Sequence, residues 1–231
     1  MNKLSLCIKN VQKSFRKKQV LTNATFTVSQ GECVGIIGMN GSGKTTLFNI
    51  LSGEIRANSG DVLISGPDGD IPLINNKKAI RKHIGYIPQE NVLIGDLTTL
   101  DNLKLWYCDS KLDMNKELND GVLHMLGIDT FLHTKVHKLS GGMQKRLSIG
   151  TALATMPDFL ILDEPGAALD LVAKDIIRNY LRSFKSTGGV VIATHDEDDL
   201  DICDRLFVLK DGILKEIPPT IRGGELIKTI L

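Results

Sequence analysis

The sequence predicts an α/β fold with a mainly parallel sheet, interrupted by an all-helical insert. Short apolar segments alternate with helical patterns on both sides of residues 90–154, which carry helical signals only. A glycine-rich loop lies between one of these apolar segments and a helix. The 231 residues suffice for one large domain, or for one to two smaller ones, with a substantial hydrophobic core.

The first third of the chain predicts strands followed by a helix. Residues 24–28 alternate between apolar and hydroxyl side chains, which predicts a strand with one buried face. Residues 33–37 form a continuous apolar run, typical of a parallel strand covered on both faces. Apolar residues over 47–51 recur at helical spacing before Gly53, which ends the helix. The next segments are predicted as strands over residues 61–65 and 83–87, separated by a loop over residues 66–76.

The middle of the chain predicts helices. Thr98 and Asp101 have the spacing of a capping box, which opens a helix through Trp106. Two further helices are predicted, one ending at Gly127 and one running from Ser140 to about Ala154, before Pro157.

The last third returns to alternating strands and helices. Asp211-Gly212 is a strong turn signal and predicts a hairpin over residues 205–217. The preceding elements are a strand over residues 159–162, a helix with an apolar face over residues 176–184 and a strand over residues 190–193. Apolar residues in the tail over 220–231 are expected to pack on the core or on a partner.

Composition excludes several classes of protein. Apolar residues make up 42% and charged residues 24%, which disfavours extended disorder and fibrous repeats. The 28 Lys and Arg residues against 27 Asp and Glu give no basic field for nucleic acid. No apolar run approaches the roughly 20 residues that cross a bilayer, and the first residues lack the apolar stretch of a secretory signal. The four cysteines form no CxxC pair, so they are expected to be reduced and mostly buried.

Residues 38–45 (GMNGSGKT) match the phosphate-loop pattern G-x-x-x-x-G-K-[ST], between a predicted strand and a predicted helix. Glycines let the backbone approach phosphates closely, and the helix start adds a positive dipole end. Lys44 is expected to reach the β- and γ-phosphates, and the Thr45 hydroxyl to hold Mg²⁺. We assign nucleotide binding here to Gly38, Asn40, Gly41, Ser42, Gly43, Lys44, Thr45 and Thr46.

An apolar strand over residues 159–162 ends in Asp163 and Glu164. The carboxyl end of a buried parallel strand lies at the edge of the sheet where ligands bind. Asp163 is therefore expected to hold Mg²⁺, and Glu164 to polarise the water that attacks the γ-phosphate.

Residues 139–146 (LSGGMQKR) resemble the signature of the ABC (ATP-binding cassette) ATPases. Ser140 is also a good helix cap, and with Gly141 and Gly142 it forms a second anion site at a helix start. Phe15 matches the family's adenine-stacking aromatic residue, Gln89 its Q-loop glutamine and His195 its switch histidine. Residues 168–170 match the D-loop, so the resemblance covers essentially the whole chain.

This resemblance implies a P-loop NTPase (RecA-like) core with an antiparallel β subdomain and a helical subdomain. The expected division of the single domain is a core over residues 1–89 and 155–231 and a helical part over residues 90–154. It further implies that Gln89 and His195 assist Lys44 and Glu164 in hydrolysis, and that Gln89 joins the Mg²⁺ ligands. Gly166 and Ala168 depart from the commoner residues of the family, which concerns subunit communication more than hydrolysis. Met143 also departs, and this is expected to matter little because Ser140, Gly141 and Gly142 carry the contacts.

The resemblance implies an ATPase subunit of an ABC transporter, with ATP and Mg²⁺ as its ligands. Two cassettes, in a homodimer or pseudo-dimer, would clasp each ATP between the phosphate loop of one and the signature of the other. Separate membrane permeases would dock on the helical part, where Trp106 and Tyr107 are candidates, at the cytoplasmic face of the membrane. The signature gives a weak indication of an exporter. The alternatives are a soluble ABC ATPase acting on nucleic acid or the translation machinery, and a cassette driving a membrane complex that transports nothing.

Overall fold

The computed structural model describes residues 3–167 and 169–231. Met1, Asn2 and Ala168, the last of which begins the predicted D-loop, lie outside the described residues. The strands are β1 (Ser5–Phe15), β2 (Lys18–Ser29), β3 (Cys33–Ile37), β4 (Ser59–Gly66), β5 (Gly69–Pro72), β6 (Ile84–Ile87), β7 (Phe159–Asp163), β8 (Gly189–Ala193), β9 (Arg205–Lys210) and β10 (Ile213–Ile217). The helices are α1 (Lys44–Leu51), α2 (Lys77–His83), α3 (Thr99–Tyr107), α4 (Met114–Asn119), α5 (Val122–Met125), α6 (Gly141–Leu153), α7 (Leu171–Phe184), α8 (Glu197–Leu200) and α9 (Gly223–Ile230).

The strands join in one sheet with the order β5-β4-β1-β2-β10-β9-β3-β8-β7-β6. The five strands from β9 to β6 pair in parallel, whereas β1, β2, β4 and β5 pair antiparallel. Helices α3 to α6 all fall between β6 and β7. This arrangement confirms the predicted fold class, a mainly parallel core with an antiparallel β region and a helical insert.

The parallel strands are apolar throughout because both of their faces are covered. In β7, Phe159 and Ile161 pack in the cluster that includes α1, whereas Leu160 and Leu162 pack in the cluster that includes α6 and α7. Such strands read as continuous apolar runs rather than as alternating ones. The tail helix α9 inserts Leu226 beside β9, which confirms the expectation that the tail packs on the core.

Several predictions about local structure are wrong. The loop predicted over residues 66–76 contains β5, an exposed edge strand whose residues pair with β4. Because no face of β5 is buried, its sequence carries no alternating apolar signal. His83, predicted to begin a strand, instead ends α2, a short helix that Asn76 caps. The helix predicted to end at Gly127 is broken into α4 and α5.

Two further observations concern the burial of the cysteines and the length of the helices. Cys7, Cys33 and Cys203 are buried and Cys108 is exposed, and all four are free thiols. Within the described ranges, no helix combines the length and the apolar character that crossing a membrane requires.

Candidate active site

Four neighbouring strands deliver the predicted residues to one edge of the sheet. In the order β3, β8, β7 and β6, each strand pairs in parallel with the next. Their carboxyl ends lead respectively into the phosphate loop, His195, Asp163 with Glu164, and Gln89. Ligands of open α/β sheets bind at this edge, so the topology brings together residues that are far apart in the chain.

The phosphate loop turns sharply into α1 at Gly43. This residue caps the helix with a φ of 111°, in the left-handed region, and makes no side-chain cap. A β-carbon here would lie 2.9 Å from Val20 Cγ1, so glycine satisfies both the backbone conformation and the packing. The first N–H groups of α1 are consequently left for a ligand, which is the arrangement that binds phosphates.

Lys44, the first residue of α1, is 7% exposed and points back into the loop. Its ammonium donates to the Gly38 carbonyl at 2.8 Å and lies 3.1 Å from His195 Nε2. Burial lowers the pKa of Lys44, while the nearby carboxylates of Glu164 and Asp163 oppose the shift. The loop therefore concentrates one positive charge beside two negative ones.

Asp163 ends β7 and is 1% exposed, yet neither carboxylate oxygen has a hydrogen-bond partner among the described residues. A buried carboxylate without a partner is costly unless a cation or a donor completes its environment. The Ser42 hydroxyl in the loop is likewise buried without a partner among those residues. Both groups have the chemistry expected of ligands to a nucleotide and its metal ion.

Glu164 has a φ of 49°, in the left-handed region that a glutamate rarely adopts. Its Oε1 atom lies 3.1 Å from His195 Nε2. Burial raises the pKa of Glu164, and the Lys44 charge opposes the increase. A carboxylate with a raised pKa is a stronger proton acceptor, which suits a general base.

His195 follows β8 and connects the two charged groups. Its Nε2 atom lies 3.1 Å from Lys44 Nζ and 3.1 Å from Glu164 Oε1. Burial and the Lys44 charge lower the pKa of His195, which favours the neutral imidazole. In the neutral ring, Nε2 either accepts from the Lys44 ammonium or donates to Glu164 Oε1, according to the tautomer.

Gln89 lies two residues after β6 and is exposed. Its backbone carbonyl is hydrogen-bonded to a residue of the helical insert. Lys145 on α6, 3% exposed, donates to the carbonyls of Pro88 at 2.8 Å and Gln89 at 2.9 Å. Burial lowers the pKa of Lys145 to about 8, although the Asp163 charge opposes this shift. This contact was not predicted, because nothing in the sequence indicates that Lys145, near the end of the signature, is buried.

The signature residues lie at the start of α6. The Ser140 hydroxyl accepts a hydrogen bond from Met143 N at 3.3 Å, which confirms the predicted helix cap. A β-carbon on Gly142 would lie 2.7 Å from Ala173 Cβ, so this glycine allows α6 and α7 to approach. Within the described residues, no hydrogen bond or ion pair joins the signature to the phosphate loop of the same chain.

Two other predicted residues also lie apart from the catalytic cluster. Phe15 ends β1 and is 47% exposed, with Lys13 Nζ 4.9 Å from its ring centroid. Asp170, the described end of the predicted D-loop, caps α7 by accepting a hydrogen bond from Ala173 N at 2.8 Å. The Phe15 ring and the exposed signature residues Ser140 and Gly141 are therefore available for contacts with molecules outside the chain.

The sheet order, together with a phosphate loop that follows β3, defines a P-loop NTPase. A family model described as ABC transporter matches residues 21–167. The chain belongs to the ABC transporter family, as the ATP-binding and ATP-hydrolysing subunit of a membrane transporter. Subunits of this kind work as dimers together with membrane-embedded partners.

The similarity to individual relatives extends over most of the chain. The lipopolysaccharide export system ATP-binding protein LptB of Haemophilus influenzae is 31% identical over 97% of this chain and 95% of its own length. Nod factor export ATP-binding protein I of Burkholderia lata is 34% identical over 88% of this chain and 67% of its own. A dimeric ATP-binding cassette solved in a post-hydrolysis state with ADP and Pi superimposes with a TM-score of 0.80, at 29% identity over 96% of this chain and 100% of that one.

Proposed function

We propose that Glu164, His195 and Lys44 form the hydrolytic centre for ATP held by the phosphate loop. The observation that carries this proposal is the convergence of Lys44 Nζ and Glu164 Oε1 on His195 Nε2, each at 3.1 Å. Lys44 and the loop N–H groups would bind the β- and γ-phosphates. Glu164 would accept a proton from the attacking water, and His195 would hydrogen-bond the γ-phosphate.

The residues around Asp163 fit a magnesium ion. Its buried oxygens lack partners among the described residues, and oxygen donors of this kind are the ligands that Mg²⁺ prefers. We propose that Asp163, Thr45 and Gln89 hold Mg²⁺ together with the phosphates. When bound, the ion neutralises charge on the phosphate oxygens.

Of the remaining site residues, Phe15 is proposed to contact the base of ATP, and the signature residues are proposed to act across a dimer. Phe15, at the exposed end of β1, would stack on adenine. Ser140, Gly141 and Gly142 would bind the γ-phosphate of ATP held by the other copy, because among the described residues no hydrogen bond or ion pair joins them to the phosphate loop of their own chain. We propose that each copy divides into a core (residues 1–89 and 155–231) and a helical subdomain (residues 90–154). The core carries the phosphate loop and the helical subdomain carries the signature, so each copy supplies one half of each shared site.

Ser140→Arg tests the signature role. In a Glu164→Gln background, this substitution is expected to abolish ATP-dependent dimerisation, since a bulky cation would replace the hydroxyl that faces the second nucleotide. Size-exclusion chromatography with ATP measures the effect. Ser186→Arg, at an exposed serine after α7, is the matched control and should dimerise normally. A Ser140→Arg variant that dimerised like the control would contradict the proposed contact.

Membrane subunits are proposed to dock on an apolar surface of the helical part, defined by Val92, Ile94, Leu105 and Trp106. These side chains are 72%, 52%, 52% and 47% exposed, respectively. Asn102 ties the two segments together, since its side chain accepts from Ile94 N at 3.0 Å and donates to Ile94 O at 3.1 Å. Trp106 therefore retains its candidate role, whereas Tyr107 is 6% exposed and donates to Gly150 O, so its candidacy was wrong.

Trp106→Glu is expected to reduce co-purification with the membrane subunit by about tenfold or more, because it puts a charge on the apolar surface. ATP hydrolysis by the isolated chain should be unchanged. Met125→Glu, which changes another exposed apolar residue on α5, is the control. Equal loss of the partner in both variants, or in neither, would contradict this docking surface.

The transporter is proposed to be an exporter that acts from the cytoplasmic face of the membrane. This direction is supported by the two relatives whose names specify export. Reconstitution of the complex in vesicles with the ATPase subunit outside tests it, since export then appears as ATP-dependent accumulation inside the vesicles. Depletion of a preloaded substrate from the vesicles would identify an importer instead.

A further inference from the structure

Arg178 is a buried cation that the hydrolytic centre itself does not use. It projects from α7, is 8% exposed and faces the acidic segment that follows β8. Nε donates to Asp199 Oδ1 at 2.7 Å, and Nη1 donates to Asp198 Oδ2 at 3.1 Å. Nη2 lies 3.0 Å from Asp196 Oδ2, a charge contact without hydrogen-bond geometry.

The carboxylates that Arg178 contacts all follow His195, and Asp199 extends the network to Thr194 before it. Asp196 follows the histidine directly, and its Oδ2 also accepts from Lys174 at 2.6 Å. Thr194 precedes the histidine, donates to Asp199 Oδ2 at 2.7 Å and accepts from Asp196 N at 3.0 Å. The backbone on each side of His195 is thus fixed by one network that centres on Arg178.

The imidazole itself has little other support. The His195 side chain is 43% exposed, and its polar contacts with described residues are those to Lys44 and Glu164. Its position therefore depends on the backbone from which it projects. Removal of one partner from a buried ion-pair network leaves uncompensated charge, which favours rearrangement of the segment.

The same helix extends to the predicted D-loop, since Asp170 caps its first turn. Arg178 lies about two turns further along α7, at about 1.5 Å per residue.

We propose that Arg178 is a positioning residue for His195, holding the turn over residues 194–199 so that the imidazole stays between Lys44 and Glu164. This inference rests on the proposed role of His195 in hydrolysis. It assigns Arg178 no contact with ATP. Its effect on the rate is expected to act through the histidine alone.

A double-mutant cycle with the full chain tests the proposal. Arg178→Met should reduce kcat about tenfold or more while the KM for ATP changes by less than about threefold. In a His195→Ala background, measured under single-turnover conditions, the same substitution should reduce the rate less than about twofold. Arg205→Met is the control, because Arg205 makes a comparable two-bond ion pair with Glu216 at 2.6 and 2.9 Å on the β9–β10 hairpin.

A second readout does not depend on turnover. The imidazole NMR signals of His195, identified by their loss in His195→Ala, should shift in Arg178→Met and stay in place in Arg205→Met. If Arg178→Met does not fold, Arg178→Lys takes its place in both measurements. Lysine keeps the positive charge but cannot contact Asp196, Asp198 and Asp199 with three separate nitrogen atoms.

Equal rate losses in both backgrounds, unchanged kcat, or unshifted His195 signals would each overturn the role of Arg178. Failure of the underlying function is distinguishable from these outcomes. If His195→Ala alone left kcat unchanged, the proposed role of the histidine would be wrong, whatever Arg178→Met did.

Discussion

Replacement of Glu164 by Gln is expected to reduce steady-state ATP hydrolysis by about 100-fold or more, since a proton acceptor is removed from the reaction. Gln has nearly the same shape but cannot take a proton from water. ATP should still bind, because Lys44 and the loop N–H groups are unchanged. The variant should therefore accumulate as an ATP-bound dimer that does not dissociate.

Phosphate release at saturating ATP, together with size-exclusion chromatography, measures both parts of this prediction. Glu225→Gln is the matched control, because Glu225 is an exposed glutamate on α9, outside the site. It should hydrolyse ATP normally and show no stable dimer. A Glu164→Gln variant that turned over at the rate of the control would remove the general-base role from Glu164.

Replacement of Lys44 by Ala is expected to weaken ATP binding by about 100-fold, the cost of losing a charged hydrogen bond in a partly desolvated site. Lys44 is 7% exposed, so water screens its charge less than it would at the surface. Loss of the ammonium should not destabilise the chain strongly, because burial lowers the pKa of Lys44, so the desolvation cost of its charge exceeds the attraction of Glu164 and Asp163.

Isothermal titration calorimetry with ATP, accompanied by thermal unfolding of each variant, checks this prediction. Lys78→Ala, at an exposed lysine on α2, serves as the control for loss of one positive charge. ATP affinity that stayed the same in Lys44→Ala would contradict the assignment of the phosphate loop.

The parts of the fold that were predictable from sequence are those with a strong burial pattern. The strands at residues 33–37 and 159–162 were recognisable because both of their faces are covered, which makes every position apolar. The hairpin turn was recognisable because Asp211 and Gly212 both adopt a positive φ, of 51° and 75°. The edge strand β5 has no buried side and was therefore missed.

The orientation of aromatic residues on α3 shows a second limit. Trp106 and Tyr107 are adjacent, and neither composition nor spacing decided which of them faces the core. The structure buries Tyr107 against Gly150, on α6, and exposes Trp106. Which face of a short helix is buried depends on the element packed against it, and that partner is distant in the sequence.

The candidate site was predictable where short motifs carry the chemistry. The phosphate loop and the Asp163-Glu164 pair were assigned from local sequence, and parallel strand order brings them to one edge. Arg178 and Lys145 were not identified, because each acts through contacts with backbone or carboxylates remote in sequence. A charged residue on a helix is usually solvated, so burial of these two cations became apparent only from the packing.

Counting the ATP bound in mixed dimers tests most directly whether each ATP is clasped between two copies of the chain. All copies carry Glu164→Gln. One copy adds Lys44→Ala and the other adds Ser140→Arg, and native mass spectrometry counts ATP in the mixed dimer. Sites shared between copies predict one ATP, because the defects fall in the same site and the second site is intact. A companion mixture pairs a copy that carries both changes with an otherwise unchanged copy, and here shared sites predict no ATP-dependent mixed dimer, because each of the two sites has one defective half. The reverse result, no ATP-bound mixed dimer in the first mixture and a mixed dimer with one ATP in the second, would mean that each site is built within a single copy and would contradict sharing of ATP between copies.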